Sequence, residues 1–195
     1  MKINLQTKDL ITIGIFSAIY LVIYIILSSI LFTPFLFFIM MPIGALISAP
    51  IFMLFIARTQ KFGAITIMGL LGGLIAGLLV YGNIYIALFN FGCALAADLL
   101  AYQGRYKSFK WNTISYCVMS MWAFGQQGAY WVAREWMREL TITSGYTAEF
   151  ADGFLALATP LNLVIIIVLT IICAIISSYM ANRMLKKHFV RAGIA

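Results

Sequence analysis

The chain has 195 residues, of which 64% are hydrophobic and only 10% are charged. Soluble domains carry about 25% charged residues, so this composition excludes a soluble globular protein and indicates an integral membrane protein. The net charge of +7 does not indicate a nucleic-acid partner, because the basic residues flank apolar segments. At roughly 20 residues for each spanning helix, the length predicts an all-α integral membrane protein, one domain over residues 1–195 with six transmembrane helices.

Apolar runs and turn residues give the predicted spans in chain order. We expect them at Asp9–Ile30, Pro42–Ala57, Phe62–Val80, Ile84–Tyr102, Trp111–Arg138 and Leu155–Met184. The first run is too long for a signal peptide and lacks a small-residue cleavage site. Residues 31–41 are predicted to form a Phe-rich connection, which suits a lid over a pocket and an interfacial anchor equally. Residues 139–151 form the one long hydrophilic connection.

Small residues mark faces on which helices can approach closely. Gly14 and Ala18 share one face of the first span, where either a helix of the same chain or a partner subunit could pack. Gly69, Gly73 and Gly77 form a second stripe in the third span, which indicates packing. Asp98, one turn from the end of the fourth span, is interpreted as a structural residue that pairs with a nearby base, against the alternative of a partner contact.

The distribution of basic residues predicts the orientation. Of the 13 Lys and Arg residues, all except Arg134 and Arg138 fall on one side of the six-span arrangement. Because basic residues are concentrated in cytoplasmic loops, we expect both termini to be cytoplasmic and the protein to be multi-pass in the cell membrane.

Polar side chains accumulate in the outer halves of the last three spans. Trp122, Gln126, Tyr130 and Arg134 follow one another at four-residue spacing and therefore share a helix stripe. Amides in hydrocarbon are costly without partners, so this stripe should face protein or a water-filled pocket. The predicted pocket, open to the outside, is lined by Asn83, Asn90, Trp122, Gln126, Gln127, Tyr130, Arg134 and Asn162. The alternative interpretation is that these residues cross-link helices or belong to the interfacial aromatic belt.

The sequence lacks the motifs of the common membrane hydrolases and of nucleotide hydrolysis. Its sole histidine, His188, lies in the basic tail, and Gly-x-Ser-x-Gly, His-Glu-x-x-His and GxxxxGK[ST] are all absent. We therefore expect no enzyme activity, no metal site and no cofactor. A pocket without an energy source indicates a partner that supplies one.

The segment Thr7-Lys8-Asp9-Leu10-Ile11-Thr12-Ile13-Gly14-Ile15-Phe16-Ser17-Ala18-Ile19-Tyr20, followed by six short spans, is similar to a known family. It resembles the substrate-binding S components of energy-coupling factor (ECF) transporters, and among them the Trep-Strep or MptD-like group. The resemblance covers the whole chain and is sharpest in these first residues. It implies that Gly14 and Ala18 stand where the family has a small-xxx-small motif, usually Ala-x-x-x-Ala, that contacts a transmembrane T component.

The resemblance implies a micronutrient importer that works with a T component and two ABC ATPases. The pocket residues suit a flat heterocycle with hydrogen-bonding edges and some negative character, such as a pterin or related vitamin, and haem is a second candidate. Two other functions stay open at this point. One is a membrane scaffold or assembly subunit without a small-molecule ligand, and the other is a membrane enzyme, which the missing catalytic groups disfavour.

Overall fold

A computed structural model describes residues 5–30, 32–80, 82 and 84–191. These residues form helices joined by short turns. The α-helices are α1 (Thr7–Ile30), α2 (Pro34–Thr59), α3 (Ala64–Leu74), α4 (Ile84–Gln103), α5 (Phe109–Met119), α6 (Phe124–Gln127), α7 (Ala129–Val132), α8 (Arg134–Thr143), α9 (Ala148–Leu157) and α10 (Pro160–Arg191). A π-helical segment, Ile75–Val80, extends α3, and a 3-10 turn, Ser120–Ala123, follows α5.

Four of the helices in this part of the chain are long and apolar enough to cross a membrane. They cover Thr7–Ile30, Pro34–Thr59, Ile84–Gln103 and Pro160–Lys187. The predicted third span corresponds to a shorter apolar helix, Ala64–Leu79. The predicted fifth span is not one helix, because it is interrupted between α5 and α8. The structure thus confirms an all-helical fold with apolar, membrane-length helices.

The second apolar helix begins earlier than predicted. The prediction of a Phe-rich connection is wrong from residue 34 onward, because these residues are helical. Proline is favoured in the first turn of a helix, where its missing N–H is not needed, and α2 begins at Pro34. Pro42 and Pro50 lie inside the helix. Membrane helices tolerate internal prolines because neighbouring groups bind the freed backbone atoms. Residues 34–41 therefore form the first turns of a helix that is long and apolar enough to cross a membrane.

The connection predicted at residues 139–151 is also largely helical. It holds the end of α8 and the start of α9, whose N-cap residue Thr147 accepts a hydrogen bond from the Phe150 amide at 3.2 Å. The predicted sixth span is divided, because α9 ends at Leu157 and α10 begins at Pro160. The residue before a proline is disfavoured in helical geometry, which explains the break.

α2 is the central helix of the fold, packed between α1 and α10. Of its most apolar window 61% is buried, against 28% for α10, whose outer face is left for lipid. α3 packs on α4, and the glycine stripe makes this possible. A Cβ at Gly69 would lie 2.1 Å from the Ala94 Cβ, and one at Gly73 would lie 2.8 Å from the Asn90 Cβ. The stripe is therefore used inside the chain.

Asp98 is structural, as interpreted, but its partners are not the expected bases. Its carboxylate is fully buried and accepts hydrogen bonds from the Gly63 amide (2.9 Å), the Thr66 amide (3.1 Å) and hydroxyl (2.8 Å), and the Tyr106 hydroxyl (2.7 Å). These amides lie at the N-terminus of α3, where the helix dipole favours an anion. Asp98 therefore joins α4 to the start of α3 and to the turn after α4.

Candidate functional site

The fifth apolar segment bends between residues 119 and 133, and this bend builds one wall of the candidate site. A 3-10 turn moves backbone carbonyls out of the α-helical pattern, and Asn90 of α4 meets one of them. With its amide oriented to satisfy both polar atoms, Asn90 donates to the Trp122 carbonyl at 2.7 Å and to the Ile86 carbonyl at 3.3 Å. Asn90 therefore fixes α4 against the bend.

A cavity of about 220 Å³ lies beside the bend, and we call it the inner cavity. Its walls come from α1, α2, the π-helical segment, α4 and the bend itself. The lining residues are Leu21, Tyr24, Ile25, Ser28, Ser29, Met40, Ile75, Ala76, Ile86, Asn90, Trp122, Ala123 and Gln126. All of these side chains are apolar or neutral polar. The inner cavity therefore offers hydrogen bonds and aromatic surface without formal charge.

Two of the lining side chains carry buried polar atoms that lack a partner. The rings of Tyr24 and Trp122 meet edge to face, with 4.7 Å between their centroids. Neither the Tyr24 hydroxyl nor the Trp122 indole N–H forms a well-aligned hydrogen bond with an atom in the described part of the chain, although the Tyr24 hydroxyl lies close to the Trp122, Ser48 and Tyr20 side chains. Buried Tyr and Trp side chains usually find such a partner. An unpaired donor at a cavity wall is the arrangement expected where a ligand or a water molecule supplies the acceptor.

A second, smaller cavity of about 90 Å³ adjoins the first, and we call it the outer cavity. Ile86 and Gln126 line both cavities, so Gln126 stands at their boundary. α8 covers the outer cavity with Met137, Leu140 and Thr141. Together the two cavities reach the lower end of the range of about 300–1,000 Å³ that is usual for small-molecule sites.

Four of the predicted site residues line these cavities. Asn90 and Trp122 line the inner cavity, Tyr130 lines the outer one and Gln126 lines both. Tyr130 is fully buried and stacks on Phe154 at 5.0 Å between ring centroids. The four-residue spacing of Trp122, Gln126 and Tyr130 thus places one side of the bend against both cavities.

Gln127 faces the other way. Its side chain is fully buried, and its amide nitrogen donates to the Phe37 carbonyl of α2 at 2.5 Å. This carbonyl lies in the helical turn that precedes Pro42, one of the two prolines inside α2. Gln127 therefore supports the proline-containing helix and does not line either cavity. Asn83, also predicted for the pocket, lies outside the described residues.

Arg134 and Asn162 do not line either cavity, because both bind backbone carbonyls at the end of α9. Arg134 donates to the Ala158 carbonyl at 3.0 Å and to the Leu155 carbonyl at 2.9 Å. Asn162 donates from its amide to the Leu157 carbonyl at 2.7 Å. The last carbonyls of a helix lack intrahelical partners, and cationic donors near them are favourable. Arg134, the cation expected in the pocket, thus stabilises the break between α9 and α10.

The sequence prediction missed the contribution of the first two helices. Tyr24, Ser28 and Ser29 of α1 and Met40 of α2 all line the inner cavity. A signal was available, because Tyr20, Tyr24 and Ser28 follow one another at four-residue spacing in an otherwise aliphatic helix. The same spacing argument could not identify Met40, because residues 31–41 were predicted to form a connection and not part of a helix.

An ion pair at the surface joins α8 to α9. Arg138 donates to the Asp152 carboxylate at 2.6 Å and 3.2 Å. The hydrogen bond to Arg138 lowers the pKa of Asp152, and the same contact raises the pKa of Arg138. The pair is therefore ionised at neutral pH and is lost only when acid protonates Asp152.

The predicted docking face lies on the opposite side of α1 from the buried core. Gly14 and Ala18 are both exposed, and a Cβ at Gly14 would meet no atom within 4 Å. The adjacent Ser17 is buried. This face is thus open within the chain, at residues small enough for another helix to approach.

Comparison with known proteins identifies a family. A family model described as a hypothetical bacterial integral membrane protein (Trep_Strep) matches residues 7–191. No curated protein and no solved structure matches the chain. The matched range covers nearly the whole sequence, so the chain belongs to the Trep_Strep family of bacterial integral membrane proteins.

Proposed function

We propose that the chain is the substrate-specific S component of an ECF-type importer. The observation that carries the proposal is the inner cavity, at whose wall the Tyr24 hydroxyl and the Trp122 N–H form no well-aligned hydrogen bond with the described protein atoms. Buried donors without acceptors reduce stability by roughly 1–3 kcal/mol each. A ligand that supplies the acceptors explains why such atoms are placed at a cavity wall.

The proposal includes six membrane crossings with both termini in the cytoplasm. The four membrane-length helices, the shorter helix at Ala64–Leu79 and the bent segment from α5 to α7 would supply the six. The excess of basic residues on one side supports this orientation in the cell membrane. Both cavities would then open toward the outside, since they lie at the ends of α1 and α3 far from the basic turns.

The chemistry of the cavities selects an uncharged ligand. The inner cavity has no ionisable side chain other than Tyr24 on its walls, and Arg134 is engaged at the end of α9. A charge transferred into such surroundings would be costly. We therefore favour a flat, neutral heterocycle with hydrogen-bonding edges, such as a pterin or related vitamin. The indole N–H of Trp122 on the cavity wall favours a ligand with a hydrogen-bond acceptor at that position. A haem-sized cargo would require both cavities to widen.

Transport against a gradient requires energy that this chain has no motif to supply. A T component and two ABC ATPases would provide it, with the T component docked on the Gly14 and Ala18 face of α1. The open space at Gly14 supports that role. A scaffold without a ligand is less well supported, because the Gly69 and Gly73 stripe is already covered by α4.

Thermal unfolding of the purified chain with a panel of vitamins and pterins tests the proposal. A ligand at 100 times its Kd should add about 2.7 kcal/mol of stability, which corresponds to a rise in Tm of roughly 5–10 °C for a chain of this size. The absence of any shift across the panel, together with failure to co-purify with a T component and ATPases, would contradict the S-component function and favour a scaffold.

A further inference from the structure

Two turns at the basic end of the molecule hold residues in an unusual backbone conformation. Gln60, in the turn between α2 and α3, has φ 46°, and Arg105 and Tyr106, in the turn after α4, have φ 50° and 60°. Side chains other than glycine rarely adopt positive φ, because Cβ then crowds the backbone. Such strain persists where the surroundings enforce it, and it is common at binding sites.

The buried carboxylate of Asp98 holds the two turns together. It accepts the Gly63 amide from the first turn and the Tyr106 hydroxyl from the second. Among the described residues, the carboxylate of Asp98 accepts its hydrogen bonds from these neighbours and forms no ion pair with an exposed base. The buried carboxylate of Asp98 thus fixes the two turns side by side. The basic side chains of these turns remain at the surface.

A cleft of about 600 Å³ opens between these two turns. Its walls include the cations Lys61 and Arg105 and the rings of Phe62, Tyr102 and Tyr106. Lys61 is paired with Asp9 at 2.6 Å. Arg105 is exposed and has no acidic partner in the described part of the chain. The cleft therefore presents one uncompensated guanidinium beside aromatic surface.

The position of the cleft places it at the membrane surface. It opens where two membrane-length helices end, Pro34–Thr59 and Ile84–Gln103. Further bases, Arg58 and Lys107, come from the same turns and are also exposed. Basic pockets between helices at this level are suited to lipid headgroups.

We propose that this cleft binds a phosphate-bearing anion, in the form of a lipid headgroup or of soluble phosphate. The planar guanidinium of Arg105 can donate two parallel hydrogen bonds to phosphate oxygens, and Lys61 adds a donor from the opposite turn. Phe62 and Tyr102 form an apolar wall beside the charge, which suits the glycerol and upper acyl region of a phospholipid. The site does not depend on the S-component function, since it lies at the other end of the molecule from the two cavities.

Native mass spectrometry of the delipidated chain tests the proposal, with titration of phosphatidylglycerol, phosphatidylcholine and inorganic phosphate in separate arms. The variant Arg105→Asn removes the cation, and asparagine adopts positive φ more readily than most residues. Arg183→Gln, at an exposed position of α10, is the matched control for net charge. An unchanged Tm for each variant verifies folding.

We expect phosphatidylglycerol to bind more tightly than phosphatidylcholine, and Arg105→Asn to weaken it about five-fold, the effect of about one basic residue at a membrane surface. Arg183→Gln should leave binding within two-fold. Binding of inorganic phosphate with the same dependence on Arg105 would identify soluble phosphate as a source. Equal losses in both variants, or no preference for either anion over phosphatidylcholine, would overturn the proposal.

Discussion

Trp122 combines two roles at the inner cavity, because its ring packs against Tyr20 and Tyr24 while its indole N–H has no described protein acceptor. The ring contacts stabilise the fold, whereas the N–H, which forms no well-aligned hydrogen bond with a described protein atom, is available to a ligand or a bound water. The two roles can be separated by substitution.

We predict that Trp122→Phe lowers ligand affinity about ten-fold, as expected for a buried hydrogen bond worth about 1.4 kcal/mol, because phenylalanine keeps the aromatic contact and lacks the donor. Calorimetric titration with the ligand from the thermal panel measures the change. Trp111→Phe is the control, since Trp111 lies beside the turn at Gly104, away from both cavities. Equal affinity of the Trp122 variant and the wild-type protein would show that the indole N–H does not bind the ligand.

Asp98 carries a different prediction, on stability alone. Asp98→Asn replaces a buried carboxylate that accepts four hydrogen bonds by an amide with two donors, so at least one N–H would face another donor. We expect a loss of about 3 kcal/mol in the free energy of unfolding, measured by thermal denaturation in detergent. Asp152→Asn, at an exposed position, should change stability little. A stable Asp98→Asn variant would show that the two basic turns do not need the buried anion.

Residue spacing explains which site residues could be predicted. Trp122, Gln126 and Tyr130 share a stripe even across the bend, and all three line the two cavities. Their assignment to a ligand site stays a prediction. Gln127 is the next residue after Gln126, about 100° further round the helix, and the sequence gives no indication that it binds α2. The partners of Arg134 could not be predicted either. They are backbone carbonyls at the end of α9, and the sequence did not indicate that a helix ends there.

At the scale of the helices, the α3–α4 contact depends on glycine. The Gly69 Cα lies so close to α4 that a methyl group there would overlap the Ala94 Cβ. Gly92, on α4, has no atom within 4 Å of the position that a Cβ would occupy. The two glycines therefore offer a matched pair of helical positions, one packed and one open.

We predict that Gly69→Ala lowers the free energy of unfolding by roughly 1–3 kcal/mol, because the added methyl forces the helices apart. Gly92→Ala should be neutral or stabilising by up to about 1 kcal/mol, since alanine is the better helix former. Thermal unfolding of both variants in the same detergent measures the difference. Equal Tm values would show that α3 and α4 can separate without cost.

Helix boundaries were the least predictable part of the fold, and proline explains most of the errors. Pro34 begins α2, Pro42 lies within it and Pro160 begins α10. A proline in the sequence is compatible with the start of a helix, with a kink inside it or with its end. Only the packing of the folded chain shows which of these occurs. Hydropathy located the apolar helices correctly, but it could not show that a 3-10 turn interrupts the fifth segment.

At the scale of the whole molecule, the proposed ligand site and the proposed docking face lie on separate surfaces. The two cavities lie within the helix bundle, whereas Gly14 and Ala18 face outward from α1. A change at the docking face should therefore affect transport without affecting binding.

We predict that Gly14→Leu leaves ligand affinity unchanged and stops uptake in cells that express the complete importer, because the larger side chain holds the T component away from α1. Gly92→Leu is the control, as Gly92 is also an exposed helical glycine with open space around it. Uptake measured with radiolabelled ligand distinguishes the two variants. Normal uptake by Gly14→Leu would show that the T component does not dock on this face of α1.

The most direct test of the ligand site uses two adjacent residues that face opposite ways. Gln126 lines both cavities, whereas Gln127 is buried against the Phe37 carbonyl of α2. Calorimetric titration of ligand into Gln126→Ala and Gln127→Ala, with the Tm of each recorded, separates binding from folding. We predict that Gln126→Ala loses more than ten-fold in affinity with little change in Tm, and that Gln127→Ala loses stability while the folded protein binds normally. The reverse pattern, or unchanged affinity in both, would contradict the assignment of these cavities as the ligand site.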